Sequence, residues 1–451
     1  MQVAMALSHF CARDFDYRSD RVFVLNGYAG TGKTSLLGAL VKALRALKID
    51  TVLMAPTGRA AKVLSAMAGV PASTIHRRIY AHSLDGLSGA PRPRENKLRG
   101  AVFIVDEASM IGEADESGYN LLADLIHFVY GGENCRLILL GDTAQLPPVG
   151  QQISPAMDPE ALRAFGLKVT YATMTEVARQ GAQSGILYNA TRMRRALMRQ
   201  STEDMTPVPI VANGVDVQVV EPNDLPDLLD GLYRADGVEN TIVITRSNRT
   251  AVDFNRGIRT MVLGHEEELL PGDLMIAAKN NYFWTKKVKG LDFVANGEIL
   301  EVVRVAGTEE RYGMRFADVT FTLPDNHEVE FTAKIVMACF VSHAASLEPE
   351  YFSRLYRGVY EDRTLHEATD PHDVRTRRMR ESPYWNALLL KYAYAVTCHK
   401  AQGGQWRNVL VDLSYIPPEQ VGGEFYRWLY TAITRSYSRL YLINPPEELI
   451  R

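Results

Sequence analysis

Apolar residues fall along this chain in short, nearly continuous runs, each followed by a stretch of helical spacing. The run at 21–27 (RVFVLNG) ends on an asparagine and a glycine, and 35–48 behind it reads as a helix. Similar runs stand at 51–55, 101–105 and 136–140. Strands without polar alternation are those covered on both faces, as in a parallel sheet flanked by helices. A second set of runs lies at 241–245, 389–397, 408–413 and 440–444. The pattern predicts an α/β fold with two separate α/β units.

Between the two sets the pattern changes. Residues 297–306, 316–323 and 329–338 are β-like segments divided by turns, so 271–385 is expected to form a small antiparallel barrel or sheet inserted in the second unit. Its tail, 351–380, is charged and aromatic and reads as helical or irregular. Glycine, proline and charge concentrate at 81–100, the composition of a protruding loop or hairpin.

At 451 residues the chain exceeds what one core supports. It is 46% hydrophobic and 23% charged, in the range of ordinary globular proteins. The net charge of −3 fails the simple test for a basic nucleic-acid binder. Local basic clusters at 77–78, 92–99, 192–195, 286–289 and 375–380 still leave room for a cationic channel. No run approaches the ~20 apolar residues of a membrane span, and the first residues lack the pattern of a signal peptide. A cytoplasmic location follows as the expectation. Cys11, Cys135, Cys339 and Cys398 form no CxxC pair, so reduced, buried thiols are expected, with Cys398 and His399 facing opposite ways on a strand.

The chemistry begins at the end of the first run. Gly27-Tyr28-Ala29-Gly30-Thr31-Gly32-Lys33-Thr34 matches GxxxxGK[ST] between a predicted strand and a predicted helix. Glycines there let backbone N–H groups curl around phosphate oxygens, and the helix N-terminus adds a favourable dipole. Lys33 supplies a point charge for the outer phosphates, and the Thr34 hydroxyl a ligand for Mg²⁺. The apolar run ending at 105 delivers Asp106, placed for the Mg²⁺ shell, and Glu107, placed to orient and deprotonate water. A third strand end carries Gln145, suited to sensing a γ-phosphate or positioning water.

In chain order these segments are joined by APTGRAAKVL (55–64), STIH (73–76), VDEASM (105–110), GDTAQLPPV (141–149), TEVARQ (175–180), AVTCHKAQGGQW (395–406) and YTAITRS (430–436). The set resembles the superfamily 1B DNA helicases of the RecD and Dda type, and it spans nearly the whole chain. The resemblance implies two RecA-like P-loop NTPase domains, 1–178 and 179–270 with 386–451, with ATP in the cleft between them. It also implies a pin-like β-hairpin or loop insertion at about 77–100 and an SH3-like β-barrel insertion at 271–385. Arg179 and Arg435 become arginine fingers, and Gly403 joins the ATP site beside Gln402. Gln2 becomes the adenine-reading glutamine. Thr57, Arg59, Thr74, His76, Thr397, His399 and Lys400 become contacts to single-stranded DNA. The implied activity is ATP-dependent, 5′→3′ translocation and unwinding in replication, recombination or repair by a monomer. Its partners would be single-stranded and forked DNA, with single-strand-binding or replisome proteins as further candidates. The competing expectation is a RecD-like subunit or ATP-gated DNA-binding module that needs other chains to unwind.

Overall fold

The computed structural model describes residues 2–12, 20–80, 93–113, 120–176, 184–199 and 207–451, apart from 290, 292, 325 and 368. The side chains of residues 34 and 418 also lie outside that description.

The first sheet is parallel throughout. Its strands are β1 (Arg21–Gly27), β2 (Thr51–Ala55), β3 (Ala72–Thr74), β4 (Val102–Val105), β5 (Arg136–Gly141) and β6 (Lys168–Met174), in the order β3-β2-β4-β5-β1-β6. The order follows from burial: β1, β4 and β5 are apolar along nearly their whole length and take central places. Two apolar clusters cover the two faces, one around Phe103, Leu125 and Leu137, the other around Phe23, Val41 and Ile104. Asn26 on β1 sits opposite Gly141 on β5, which brings the carboxyl ends of these strands together.

The second sheet is also parallel, with β7 (Val217–Val220), β8 (Thr241–Thr245), β14 (Ala395–Thr397), β15 (Trp406–Asp412) and β16 (Ser436–Ile443) in the order β14-β8-β15-β16-β7. Between β8 and β14 the chain leaves to build an antiparallel sheet, order β12-β11-β10-β9-β13. Its strands are β9 (Leu274–Ala277), β10 (Ile299–Arg311), β11 (Met314–Leu323), β12 (Asn326–Val336) and β13 (Leu390–Tyr392). A bridge between Ile335 and Leu388 brings the two edges of this sheet towards each other. Helices Pro349–Tyr360 and His372–Glu381 form its tail, in place of the undivided charged stretch that the sequence showed.

Two expectations are corrected here. The apolar run 389–397 is not one strand: Leu390–Tyr392 pairs with β9 in the insert, and Ala395–Thr397 pairs with β8 in the second parallel sheet. The insert therefore reaches past 385, and the run divides where Tyr394 turns its hydroxyl to Asp273 at 2.8 Å. Asp273 also receives both arms of Arg259 at 2.9 and 3.0 Å, a buried junction between the insert and the second unit. The second correction concerns Cys398 and His399, which open a one-turn helix, Cys398–Ala401, rather than alternating along a strand. Thr397 ends the strand with φ −72° and ψ 153°, and the chain coils at once behind it.

Candidate nucleotide cleft and nucleic-acid face

The carboxyl ends of parallel strands are where an open α/β sheet binds ligands, and the candidate residues collect there. Behind β1, Gly30 (φ 73°) and Gly32 (φ 82°) adopt left-handed conformations that side chains resist, and helix Lys33–Ala46 starts directly after them. Thr31 closes the turn from inside: its hydroxyl donates to Tyr28 O at 2.7 Å. Lys33 folds back over the loop, its ammonium donating to Gly27 O and standing 4.0 Å from the Asp142 carboxylate. A Cβ at residue 27 would lie 2.3 Å from Lys33 Cγ, so glycine is required for that path.

Beside it, β4 ends in Asp106 and Glu107. Burial pushes the Asp106 carboxyl up to about 6, reinforced by the Glu107 charge, against the opposing pull of Lys33 and of the Glu107 amide at 2.9 Å. Glu107 sits at φ 53°, a left-handed conformation uncommon for a side-chain-bearing residue. A half-buried acid pair of this kind fits a divalent cation, which would remove the repulsion between the two charges. At the end of β5, Gln145 is 5% exposed and its Oε1 accepts no hydrogen bond among the described residues. Such an orphaned acceptor fits a donor from a ligand or its water.

The second unit closes on this edge through helix Gly423–Ile433. Tyr430 reaches the P-loop, its hydroxyl accepting from Ala29 N at 2.9 Å and donating to Asp142 Oδ2 at 2.7 Å. One residue on, the Thr431 hydroxyl accepts from Leu146 N at 2.7 Å, and Arg427 donates to Thr143 O. Gln402 adds a fourth link, Nε2 to Leu146 O at 2.9 Å. From helix Gly185–Arg199, Arg194 lays its guanidinium 4.6 Å from the Tyr28 ring centre. Arg435 is buried and bonded to Thr431 O, Gly404 O and Thr434 Oγ1, all within its own unit. Gly403 takes φ 73° against Thr57 and Ala60 of the first unit. Gln2 begins helix Gln2–Ala12 as an exposed residue. Arg179, the 81–92 part of the pin-like segment and the Thr34 hydroxyl lie outside the described residues.

The candidate nucleic-acid residues divide by role. Thr57 and Thr74 cap helices Gly58–Ala68 and Ile75–Ile79, each accepting at 3.2 Å from an amide three residues on. Their strands are neighbours, Ala55 standing opposite Thr74, so both caps lie on one edge. His76 is half-buried, which lowers its pKa, and its ring packs 5.8 Å from Tyr80. Arg59 crosses to the second unit, stacking 3.9 Å over Trp406 and donating to Gln405 O at 3.3 Å. On that side Thr397 is half-buried, His399 is exposed, and Lys400 donates to Ala345 O of the insert at 3.2 Å. Burial and the neighbouring Lys391 charge bring the Lys400 ammonium down to about 8.

A family model described as an AAA domain matches residues 11–205, and one described as a UvrD-like helicase C-terminal domain matches 392–443. The ATP-dependent RecD2 DNA helicase of Deinococcus radiodurans is 35% identical over 173 residues, 38% of this chain and 21% of that protein. The ATP-dependent DNA helicase dda of Enterobacteria phage T4 is 32% identical over 129 residues, 28% of each chain. Over these segments the chain is similar to DNA helicases of the RecD2 and Dda kind. It spans a minor part of the length of these curated relatives. A crystal structure of a Bacteroides Pif1 helicase with ADP-AlF3 and ssDNA is 16% identical, covering 100% of this chain and 94% of that one at a TM-score of 0.49.

Within this helicase-related framework, four contacts escaped the reading of the sequence: Asp142, Arg194, Arg427 and Tyr430. Asp142 and Tyr430 stand inside the motif blocks GDTAQLPPV and YTAITRS, where the sequence pattern points to the glutamine and the arginine. Arg194 lay in the basic cluster 192–195, which pointed to a polyanion rather than to Tyr28, and Arg427 had only an ordinary helical context.

Proposed function

We propose that the chain is an ATP-dependent DNA helicase that moves 5′→3′ along single-stranded DNA and separates duplex ahead of it. The observation that carries this reading is the segment 397–403. Gln402 bonds to the strand end that holds Gln145, while Lys400 and His399, two and three residues earlier, stand on the candidate DNA face. One short helix thus links nucleotide cleft and nucleic-acid track, so a change in one is felt by the other.

In this reading the parallel sheets are two RecA-like domains and the antiparallel insert is the SH3-like barrel. Gly27 to Lys33 cradle the triphosphate of ATP. Thr34 and Asp106 hold Mg²⁺, which neutralises phosphate charge when bound. Glu107 orients and deprotonates the attacking water, Gln145 reports the γ-phosphate, and Arg179 and Arg435 stabilise charge that develops on it. Gln2 reads adenine and Gly403 lets 397–403 pass close to the first domain. For Arg435 this requires its guanidinium to exchange Thr431 O and Gly404 O for phosphate as the domains tighten. Thr57, Arg59, Thr74 and His76 grip DNA from one domain, and Thr397, His399 and Lys400 from the other. Alternate tightening of these two grips moves the strand.

Forked substrates bearing either a 5′ or a 3′ tail, incubated with the purified chain and ATP, test this directly. Opening of the 5′-tailed fork alone, with ATP hydrolysis stimulated by single strands, is expected. Hydrolysis indifferent to DNA would sink the reading. Stimulated hydrolysis without unwinding would replace the autonomous motor with a module dependent on partners.

A further inference from the structure

Helix Pro349–Tyr360 of the insert turns aromatic rings outward where a solvent-facing helix ordinarily carries polar groups. Its inner face is anchored by Leu355 and Val359, packed with Met314 and Phe316 of the sheet. Phe352, Tyr356 and Tyr360 stand four residues apart, a stripe of about 12 Å at 1.5 Å per residue. The first two rings face out; the last, Tyr360, is half-buried against the inner cluster and joined by its hydroxyl to His372 Nδ1 at 2.7 Å. Phe352 is 41% exposed and Tyr356 42%. The Tyr356 and Tyr360 rings are 5.8 Å apart and within 5° of parallel, and Trp385 joins Phe352 and Tyr356 at 5.5 and 5.9 Å. Beside the stripe runs a groove of about 420 Å³, lined by Phe352, Ser353, Tyr356, Arg357, Tyr360 and Glu361.

Cations accompany the rings. Lys279 Nζ lies 5.2 Å from the Phe352 ring centre and the Arg375 guanidinium 5.9 Å from that of Tyr360, with Arg357 in the groove wall. The single acid of the wall, Glu361, stands just past the Tyr360 end. Rings flanked by cations are the chemistry that holds single-stranded nucleic acid, bases on the aromatic faces and phosphates beside the positive charges. The stripe is joined to the proposed track through the chain: Lys400 bonds to Ala345 O, in the segment that leads into this helix, whose first outward ring is Phe352.

We infer that Phe352 and Tyr356, backed by Tyr360 and Trp385, are a base-stacking platform that takes the single strand beyond Lys400. The inference rests on the helicase reading for the position of the strand. Its partner is single-stranded DNA, bound by stacking and therefore without sequence preference.

Anisotropy titrations with a short oligothymidylate that fills only the channel between the domains, and with a long one that extends past it, separate the two claims. The parent chain should bind the long oligonucleotide more tightly. The Phe352→Ala/Tyr356→Ala variant should lose that advantage, roughly tenfold in affinity. It should keep its affinity for the short one, and Tyr356→Phe should behave as the parent. As a second measurement independent of any variant, 5-iodouracil placed in the distal part of the long strand should crosslink to the peptide carrying residues 352–360. Unchanged long-strand affinity in the double variant, equal loss on both lengths, or a crosslink confined to other peptides would overturn the platform. A parent chain that binds neither oligonucleotide would overturn the helicase reading with it, whereas tight binding of the short strand alone removes only the platform.

Discussion

The Tyr430 hydroxyl bridges Asp142 and the P-loop, donating to the Asp142 carboxylate at 2.7 Å and accepting from the Ala29 amide at 2.9 Å. It is a contact between the two parallel-sheet units, and it touches the loop that is proposed to hold the triphosphate. Burial and the adjacent Asp142 charge keep the phenol well above its ordinary pKa, so it stays a neutral donor. Tyr430→Phe leaves the ring in place but deprives a buried carboxylate of a donor, at a cost of about 1–3 kcal/mol. The expected result is a lower thermal midpoint and a drop in kcat of ATP hydrolysis larger than the change in KM. Calorimetry and steady-state kinetics check this; wild-type values in both would leave the bridge without a role.

Lys33 is the cation nearest the loop, held by Gly27 O and facing Asp142. Lys33→Ala is expected to reduce ATP hydrolysis by at least roughly a hundredfold, since it removes charge stabilisation of the transferring group. The thermal midpoint should shift little, because the side chain buries no large apolar surface. Retained hydrolysis would displace Lys33 from the chemistry.

Asp106 carries a pH signature. Its carboxyl is raised to about 6 in the folded chain, above the ordinary carboxylate range, so the folded state holds this proton more tightly than the unfolded state does. The associated destabilisation is absent below about pH 4 and grows as pH rises through about 6. In metal-free buffer Asp106→Asn should therefore stabilise the chain at pH 7.5, by on the order of 1–3 kcal/mol, and give little advantage at pH 4. Melting curves across this range test it. The same variant should lose Mg²⁺-dependent hydrolysis.

Lys400 makes the opposite kind of prediction. With its ammonium brought down to about 8, it is charged at neutral pH and neutral in alkaline buffer. Affinity for single-stranded DNA should weaken several-fold between pH 7 and pH 9, where a lysine of ordinary pKa would stay charged. Lys400→Arg should bind with a flatter pH profile, because a guanidinium does not titrate there. Parallel profiles for the two proteins would remove Lys400 from the phosphate contacts.

The sequence by itself determined the strands of the first sheet at 21–27, 51–55, 101–105 and 136–140, and with them the P-loop, Asp106, Glu107 and Gln145. These features are local: an apolar run long enough for a strand, ended by residues that a strand cannot continue, needs no distant partner to be read. The same locality misled the reading at 389–397. Leu390 and Val396 are equally apolar, and only pairing partners far away in the chain, β9 and β8, assign them to different sheets. It misled it again at Cys398, where the chain coils into a one-turn helix directly behind β14 instead of continuing the strand. Contacts between units were least legible of all. Tyr430 lies 401 residues from Ala29 and 288 from Asp142, and no spacing rule relates them. Hydrophobic periodicity says which face of an element is buried, not what buries it. That choice belongs to the tertiary structure, which packs helix Gly423–Ile433 onto the phosphate loop and carries Lys33 into a cleft shared by two units.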